Sequence, residues 1–352
     1  MIGTPLLILC FIAFYSTPSF VKGDSLFAYC MLFYILTGTL DSVINANYGA
    51  LFPELFRDDK SRASTNALRQ AFQLVAMIIS IALTPMVTGA IGYSMTAIIY
   101  GLLGGAVIMY MSLTSKEVRI EEYDKKPELW NSVKFLVTNR KFWIAGLANA
   151  FYSAAMSLVL ATMTLYVKYS LNLNESQSTY LFAAVLLIAI GCVAIWARMV
   201  RKYSLIPIWR IALICLAVAF IPLFFANTLY TGLAAAALVG FGFAGVITTM
   251  DLIGAKIMDE DTRKNNLRRE GIIANAMGFM NRLNSLFTAA ALYLVSVLFG
   301  FESGQNPGPE PQNAARFLMA LFPMILMVIS FAFSFFIDFK EVPKEAPVPY
   351  KA

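Results

Sequence analysis

No histidine occurs among the 352 residues. Its absence excludes imidazole proton relays, histidine metal sites and every nucleophile–base pair built on an imidazole. Charge is also scarce: Asp, Glu, Lys and Arg make up 14% of the chain, against roughly a quarter in soluble domains. The four cysteines, Cys10, Cys30, Cys192 and Cys215, all lie inside apolar runs, with neither ligand spacing nor loop positions suited to disulfides. They read as small apolar residues. What fills the chain is hydrocarbon: 59% of residues are apolar and the mean hydropathy is +0.68. The net charge of +6 does not indicate nucleic acid, because the positive residues fall in short loops between apolar runs. An all-α membrane protein is expected, integral to a plasma or inner membrane and multi-pass.

Ten runs are long enough, or nearly so, to cross a bilayer: 3–18, 24–48, 66–89, 92–113, 142–168, 179–200, 206–226, 229–255, 272–299 and 314–337. The stretches 57–69, 116–141, 198–210 and 256–269 and the tail after 338 hold 23 of the 27 Lys and Arg residues. Alternation over the ten spans makes these stretches, and both termini, cytoplasmic. The expected organisation is an incomplete N-terminal half of four spans (1–114), a cytoplasmic amphipathic linker (115–141), a six-helix half (142–338) and a disordered cytoplasmic tail (339–352). In the linker, Leu129, Val133, Leu136 and Val137 share one helical face. No basic residue precedes the first span, and the chain is expected to start inside what was a longer helix.

Arg282 lies within the apolar run 272–299, at ~1.5 Å per residue about 17 Å beyond the boundary at Gly271 that follows the basic cluster Arg268-Arg269. A lone arginine at that depth costs about 2.5–3.5 kcal/mol on insertion scales, so it either ties helices together as an ion pair or faces a polar passage. Asn275, Gly278 and Ser285 share its stripe. In the second span Thr37, Asp41, Asn45 and Tyr48 fall on one helical face. Asp41 either packs against a neighbouring helix or lines a cavity, where Arg282 would meet it directly or through a solute. Arg69 sits about a turn inside the third span, within reach of the headgroups by snorkelling. GLLGG (101–105) and GFGFAG (240–245) lack the Lys-Ser/Thr of a phosphate loop and read as close helix contacts.

The segment DEDTRKNNLRREG (259–271), followed by a cation at 282, resembles the glycoside–pentoside–hexuronide:cation symporters, the melibiose permease-like family of the major facilitator superfamily. NYGALFPELF with DDKSRASTNALRQ (47–70), including Arg69, and TNRKFW (138–143) extend the resemblance along the chain. It implies a bundle of two pseudo-symmetric halves with alternating access to a central site. It also implies that span 3–18 corresponds to the family's third helix, so about 10 of 12 helices are expected, grouped 4 + 6 and truncated at the N-terminus. The family has a functional lysine at the position of Arg282. Its fourth-helix aspartate falls at Asn45, with Asp41 one turn earlier, and an acidic position becomes Lys256.

The leading expectation is therefore a secondary active transporter, a cation-coupled symporter of a sugar, glycoside or related polar solute. The candidate substrate and cation residues are Asp41, Asn45, Tyr48, Arg69, Asn275 and Arg282. Asp259, Asp261, Arg268, Arg269 and Glu270 are expected to form a cytoplasmic gate of salt bridges rather than a metal site. The partners implied are a small-molecule solute, the lipid bilayer and a coupling cation, Na+ or H+. No cofactor, resident metal or nucleic acid is expected. The competing readings are a truncated, transport-inactive remnant or gene fragment acting at most as a binding or assembly partner, and a lysolipid-type carrier. Enzymatic chemistry is not expected.

Overall fold

The computed structural model describes residues 3–18, 21–56, 58–115, 129–174, 177–265, 269–301 and 308–339. Among them every regular element is helical, as hydrocarbon requires, since a helix satisfies its own backbone polar groups. The order is α1 (Gly3–Tyr15), α2 (Asp24–Leu55), α3 (Asp59–Ile78), α4 (Thr84–Thr114), α5 (Leu129–Thr138), α6 (Arg140–Tyr169), α7 (Ser178–Lys202), α8 (Leu205–Phe225), α9 (Leu229–Asn265), α10 (Glu270–Asn281), α11 (Asn284–Phe299), α12 (Pro311–Arg316) and α13 (Phe322–Ser334). Two π-turns, Ile79–Leu83 and Phe317–Leu321, carry α3 into α4 and α12 into α13.

Eight segments among the described residues are long and apolar enough to cross a membrane: 24–49, 86–114, 140–169, 178–202, 205–225, 229–265, 271–299 and 311–334. Against the ten runs read from sequence, α1 is apolar but only 13 residues long, and α3 opens with charged residues. The expected boundary between runs 66–89 and 92–113 is visible nonetheless. Gly92, at φ 80° and ψ 164°, interrupts α4 in a conformation that L side chains rarely adopt.

Local signals set the helix starts. Asp58 caps α3 by accepting from the Ser61 amide at 3.0 Å. Asn139 caps α6, accepting from the Lys141 and Phe142 amides at 3.1 and 3.2 Å. Within the stretch expected as a linker, residues 129–138 form the helix α5; residues 116–128, 302–307 and the tail 340–352 lie outside the described residues.

The main core lies among α6, α7, α8, α9 and α13, around Tyr166, Trp196, Trp209 and Phe220. Glycines let α9 sit against its neighbours. A Cβ at Gly240 would lie 2.4 Å from the Val185 carbonyl oxygen of α7, and one at Gly242 would lie 2.6 Å from the Leu216 Cα of α8. At the other end of the chain, α1 packs between α2 and α4. Two elements join these bodies: α3 runs along α7 and α9, and α10 lies between α2 and α6. The apolar window of α2 contains no buried residue, and Phe27, Met31, Tyr34 and Ile35 present hydrocarbon outward.

Candidate functional site

Between the two bodies lies a cavity of about 960 Å³, lined from α2, α3, α6, α9 and α10. Helix α3 supplies its most polar wall because Arg62, Asn66, Arg69 and Gln70 recur at helical spacing along the face turned to α9. Arg62 meets Asp259 and Arg69 meets Asp251, so the two helices run in opposite directions here. Arg69 Nη2 donates to Asp251 Oδ2, and Gln70 Nε2 donates to the same oxygen at 2.6 Å. One turn toward the basic end, fully buried Asn66 donates to the Thr248 carbonyl at 2.9 Å, and its Oδ1 has no partner.

The Arg69 guanidinium lies 4.7 Å from the Phe52 ring centroid and 5.5 Å from that of Tyr48. Both distances are within cation–π range. On the opposite wall Tyr152 stacks on Phe243, and Ser153 donates to Asn281 at 3.1 Å. Asn45, Gln73 and Asn149 add amides. Among the described residues the space therefore offers one cation, one anion, several neutral donors and acceptors, and aromatic faces.

Of the residues chosen from sequence, Asn45, Tyr48 and Arg69 line this cavity. Asp41 lies one turn along α2 from Asn45 and accepts from its amide at 2.9 Å. Arg282 is exposed and hydrogen-bonds Ser42, the neighbour of Asp41; no ion pair joins Arg282 to Asp41 among the described residues. Its backbone explains the position. Arg282 and Leu283 close a tighter turn, with amides bonded three residues back to Phe279 and Met280, and this turn separates α10 from α11. Asn281, beside Arg282, turns into the cavity instead. Asn275 is exposed and bonds back to the Gly271 carbonyl at 2.9 Å.

A second polar layer lies at the basic end. Arg62, 3% exposed, holds both carboxylate oxygens of Asp259 and donates to the Phe56 carbonyl at 2.7 Å. Glu260 is gripped by Lys141 at 2.8 Å and Lys264 at 2.6 Å. Asp261 pairs with Arg269 through bonds of 2.7 and 3.1 Å, both residues being buried. Arg268 lies outside the described residues, as does the side chain of Glu270, whose backbone opens α10.

Sequence reading missed Asp251, Arg62, Gln70 and Tyr152. Asp251 had a signal, an acid inside the apolar run 229–255. Arg62 and Gln70 had theirs in the spacing with Arg69.

Among the described residues, apolar helices enclose a polar cavity lined by one charge of each sign, an arrangement suited to holding a small solute. The chain belongs to the MFS/sugar transport protein family, whose sequence profile matches residues 1–341. It is similar to a Salmonella typhimurium (strain LT2) protein named as a 2,3-dihydroxypropane-1-sulfonate exporter, 23% identical over 337 residues covering 93% of this chain and 73% of that one. It is also similar to an Escherichia coli (strain K12) protein named as a sulfoquinovose importer, 20% identical over 306 residues covering 84% and 65%. In structure it resembles the Escherichia coli fucose:proton symporter at a TM-score of 0.68 and 15% identity, over 95% of this chain and 82% of that one. That last likeness concerns the fold. The chain is thus a multi-pass membrane protein and a sugar-type major facilitator transporter of small-molecule solutes.

Proposed function

We propose that this protein is a cation-coupled symporter that carries a small hydroxylated solute bearing an anionic group, by alternating access between its two helical bodies. The observation that carries the reading is the Arg69–Asp251 pair, set between aromatic rings in a cavity of about 960 Å³. That volume falls in the ~300–1,000 Å³ range of small-molecule sites. Arg69 supplies the charge that recognises the anion. Tyr48 and Phe52 offer faces for a sugar ring, and Asn45, Asn149, Ser153 and Asn281 reach its hydroxyls. The relatives named for sulfonated solutes support an anionic substrate.

On this reading the ten apolar runs are ten crossings, with Gly92 turning the chain between two of them. The basic end faces the cytoplasm, and the Arg62–Asp259, Lys141–Glu260 and Arg269–Asp261 pairs form the gate that holds it shut. Asp41 and Arg282 act beside the cavity: Arg282 anchors the α10–α11 break to α2 through Ser42, so that movement of one body reaches the other. An inert remnant has no comparable observation in its favour.

The test is uptake into vesicles of a labelled panel comprising neutral galactosides, fucose, sulfoquinovose and 2,3-dihydroxypropane-1-sulfonate, with imposed Na+ or H+ gradients. Gradient-driven accumulation of a sulfonated member is expected. Accumulation of the neutral sugars alone would refute the anionic assignment, and no uptake of any member would refute the symporter reading for this panel.

A further inference from the structure

Among the described residues that line the central cavity, only Arg69 and Asp251 carry charge, and each is the other's partner. Both are partly open to the cavity, with side chains 22% and 38% exposed, so an entering solute can reach the pair. The other titratable groups facing it are Tyr48 from α2 and Tyr152 from α6. Helix α10 contributes Ala274, Met277, Gly278 and Asn281, none charged. Arg198, Arg201 and Lys202 on α7 and Arg210 on α8 do not line the cavity, and Lys256, further along α9, lies over the Phe339 ring.

We propose that Asp251 is the proton-binding site of the transport cycle, loaded when a solute anion takes Arg69 away from it. The inference rests on the reading of this cavity as the site of an anionic solute. Charge conservation leads to it. The paired cavity is neutral. An anion arriving alone would bind the guanidinium and leave the Asp251 carboxylate charged beside a second anion, with the Gln70 amide its remaining donor among the described residues, which is costly. A proton arriving with the anion restores neutrality: the guanidinium pairs with the solute and the carboxylate becomes a carboxylic acid. The proton comes from bulk solution through the cavity, Arg69 stays charged throughout, and no other group changes its protonation.

The local geometry favours a proton over a metal ion. Among the described residues the cavity is lined by a single acid, whereas a bound metal ion draws several oxygen ligands to one point. One oxygen of Asp251 is held by Arg69 and Gln70, and the other accepts no hydrogen bond among the described residues. A proton needs only that one atom. Because the pair links α3 to α9, dividing it also removes a strut between the two bodies. Exchange of protons for solute movement is then a property of one ion pair.

Purified full-length protein in lightly buffered solution, with a pH indicator, is titrated with 2,3-dihydroxypropane-1-sulfonate and with sulfoquinovose while binding is followed by calorimetry. Wild type is expected to take up about one proton per anion bound. Its affinity should rise about tenfold for each unit fall in pH over the range where Asp251 is charged. Asp251→Asn should bind the probe with no proton uptake and with pH-independent affinity. The wild-type slope carries the test even if that variant does not fold. Binding by wild type without proton uptake would overturn the inference and leave the transporter reading standing. Failure of both probes to bind would overturn the anionic-solute reading, and this inference with it.

Discussion

The Arg62–Asp259 contact makes the gate measurable. Arg62 is 3% exposed and holds Asp259 through two nitrogens, at 2.5 and 3.2 Å. Asp259→Ala leaves a buried guanidinium without that carboxylate. Breaking a buried pair in this way typically costs about 3–5 kcal/mol. Asp259 is itself 47% exposed, so water reaches the vacated side and the cost falls to about 2 kcal/mol. That corresponds to a shift of ~30-fold toward states in which α3 and α9 separate at the basic end. Ala63, one residue from Arg62 and 1% exposed, packs with Phe52 and Leu252 and reports the separation. In a background with the four native cysteines replaced by serine, Ala63→Cys is labelled with a membrane-impermeant maleimide applied from the basic side. The labelling rate should rise by ~30-fold on adding Asp259→Ala. It should return most of the way with the exchange Arg62→Asp and Asp259→Arg. An unchanged rate in a well-folded Asp259→Ala protein would refute the claim that this pair holds the end shut.

Three further outcomes follow from the same geometry. Gly240→Ala places a Cβ 2.4 Å from the Val185 carbonyl of the α7 backbone, which cannot swing aside, and should lower stability by about 1–3 kcal/mol in a thermal-unfolding assay. Gly278→Ala should leave the unfolding temperature unchanged, because nothing lies within 4 Å of the added carbon although the residue lines the cavity. Arg282→Ala removes a charged hydrogen bond to Ser42 worth about 1.5–3 kcal/mol. Because Arg282 lies outside the cavity, transport measured in vesicles should fall at least ~10-fold while solute affinity stays within ~3-fold.

The helical architecture was readable because hydrocarbon admits little else, and because caps such as Asp58 and Asn139 and breaks such as Gly92 announce themselves locally. The site was readable only in part, for a physical reason. Asn45 and Tyr48 stand out in the sequence as part of a polar face within the second span, and Arg69 through its place about a turn inside the third and through the family resemblance. Which partners they meet depends on how two antiparallel helices, far apart in the chain, are set in register. Asp251 meets Arg69 only because α9 lies against α3, and no periodicity within either helix reveals that. Arg282 stood out for depth alone, yet the turn between α10 and α11 directs it to Ser42 while Asn281 enters the cavity. From sequence the acidic run 259–261 reads as a salt-bridge cluster, and its three carboxylates each sit in an ion pair. Its cross-body partner Arg62 went unnoticed because a charge near a helix start reads as surface.

The most direct measurement of the central claim is counterflow exchange in proteoliposomes, comparing wild type with Arg69→Gln for labelled sulfoquinovose and 2,3-dihydroxypropane-1-sulfonate. Counterflow needs solute recognition and reorientation but no net driving force. Wild type should exchange at least one of the two, and Arg69→Gln, folded and reconstituted to the same level, should lose at least ~100-fold of that rate for want of the guanidinium–anion contact. Equal exchange by the two proteins would contradict the assignment of Arg69, and of the cavity around it, as the place where the solute binds.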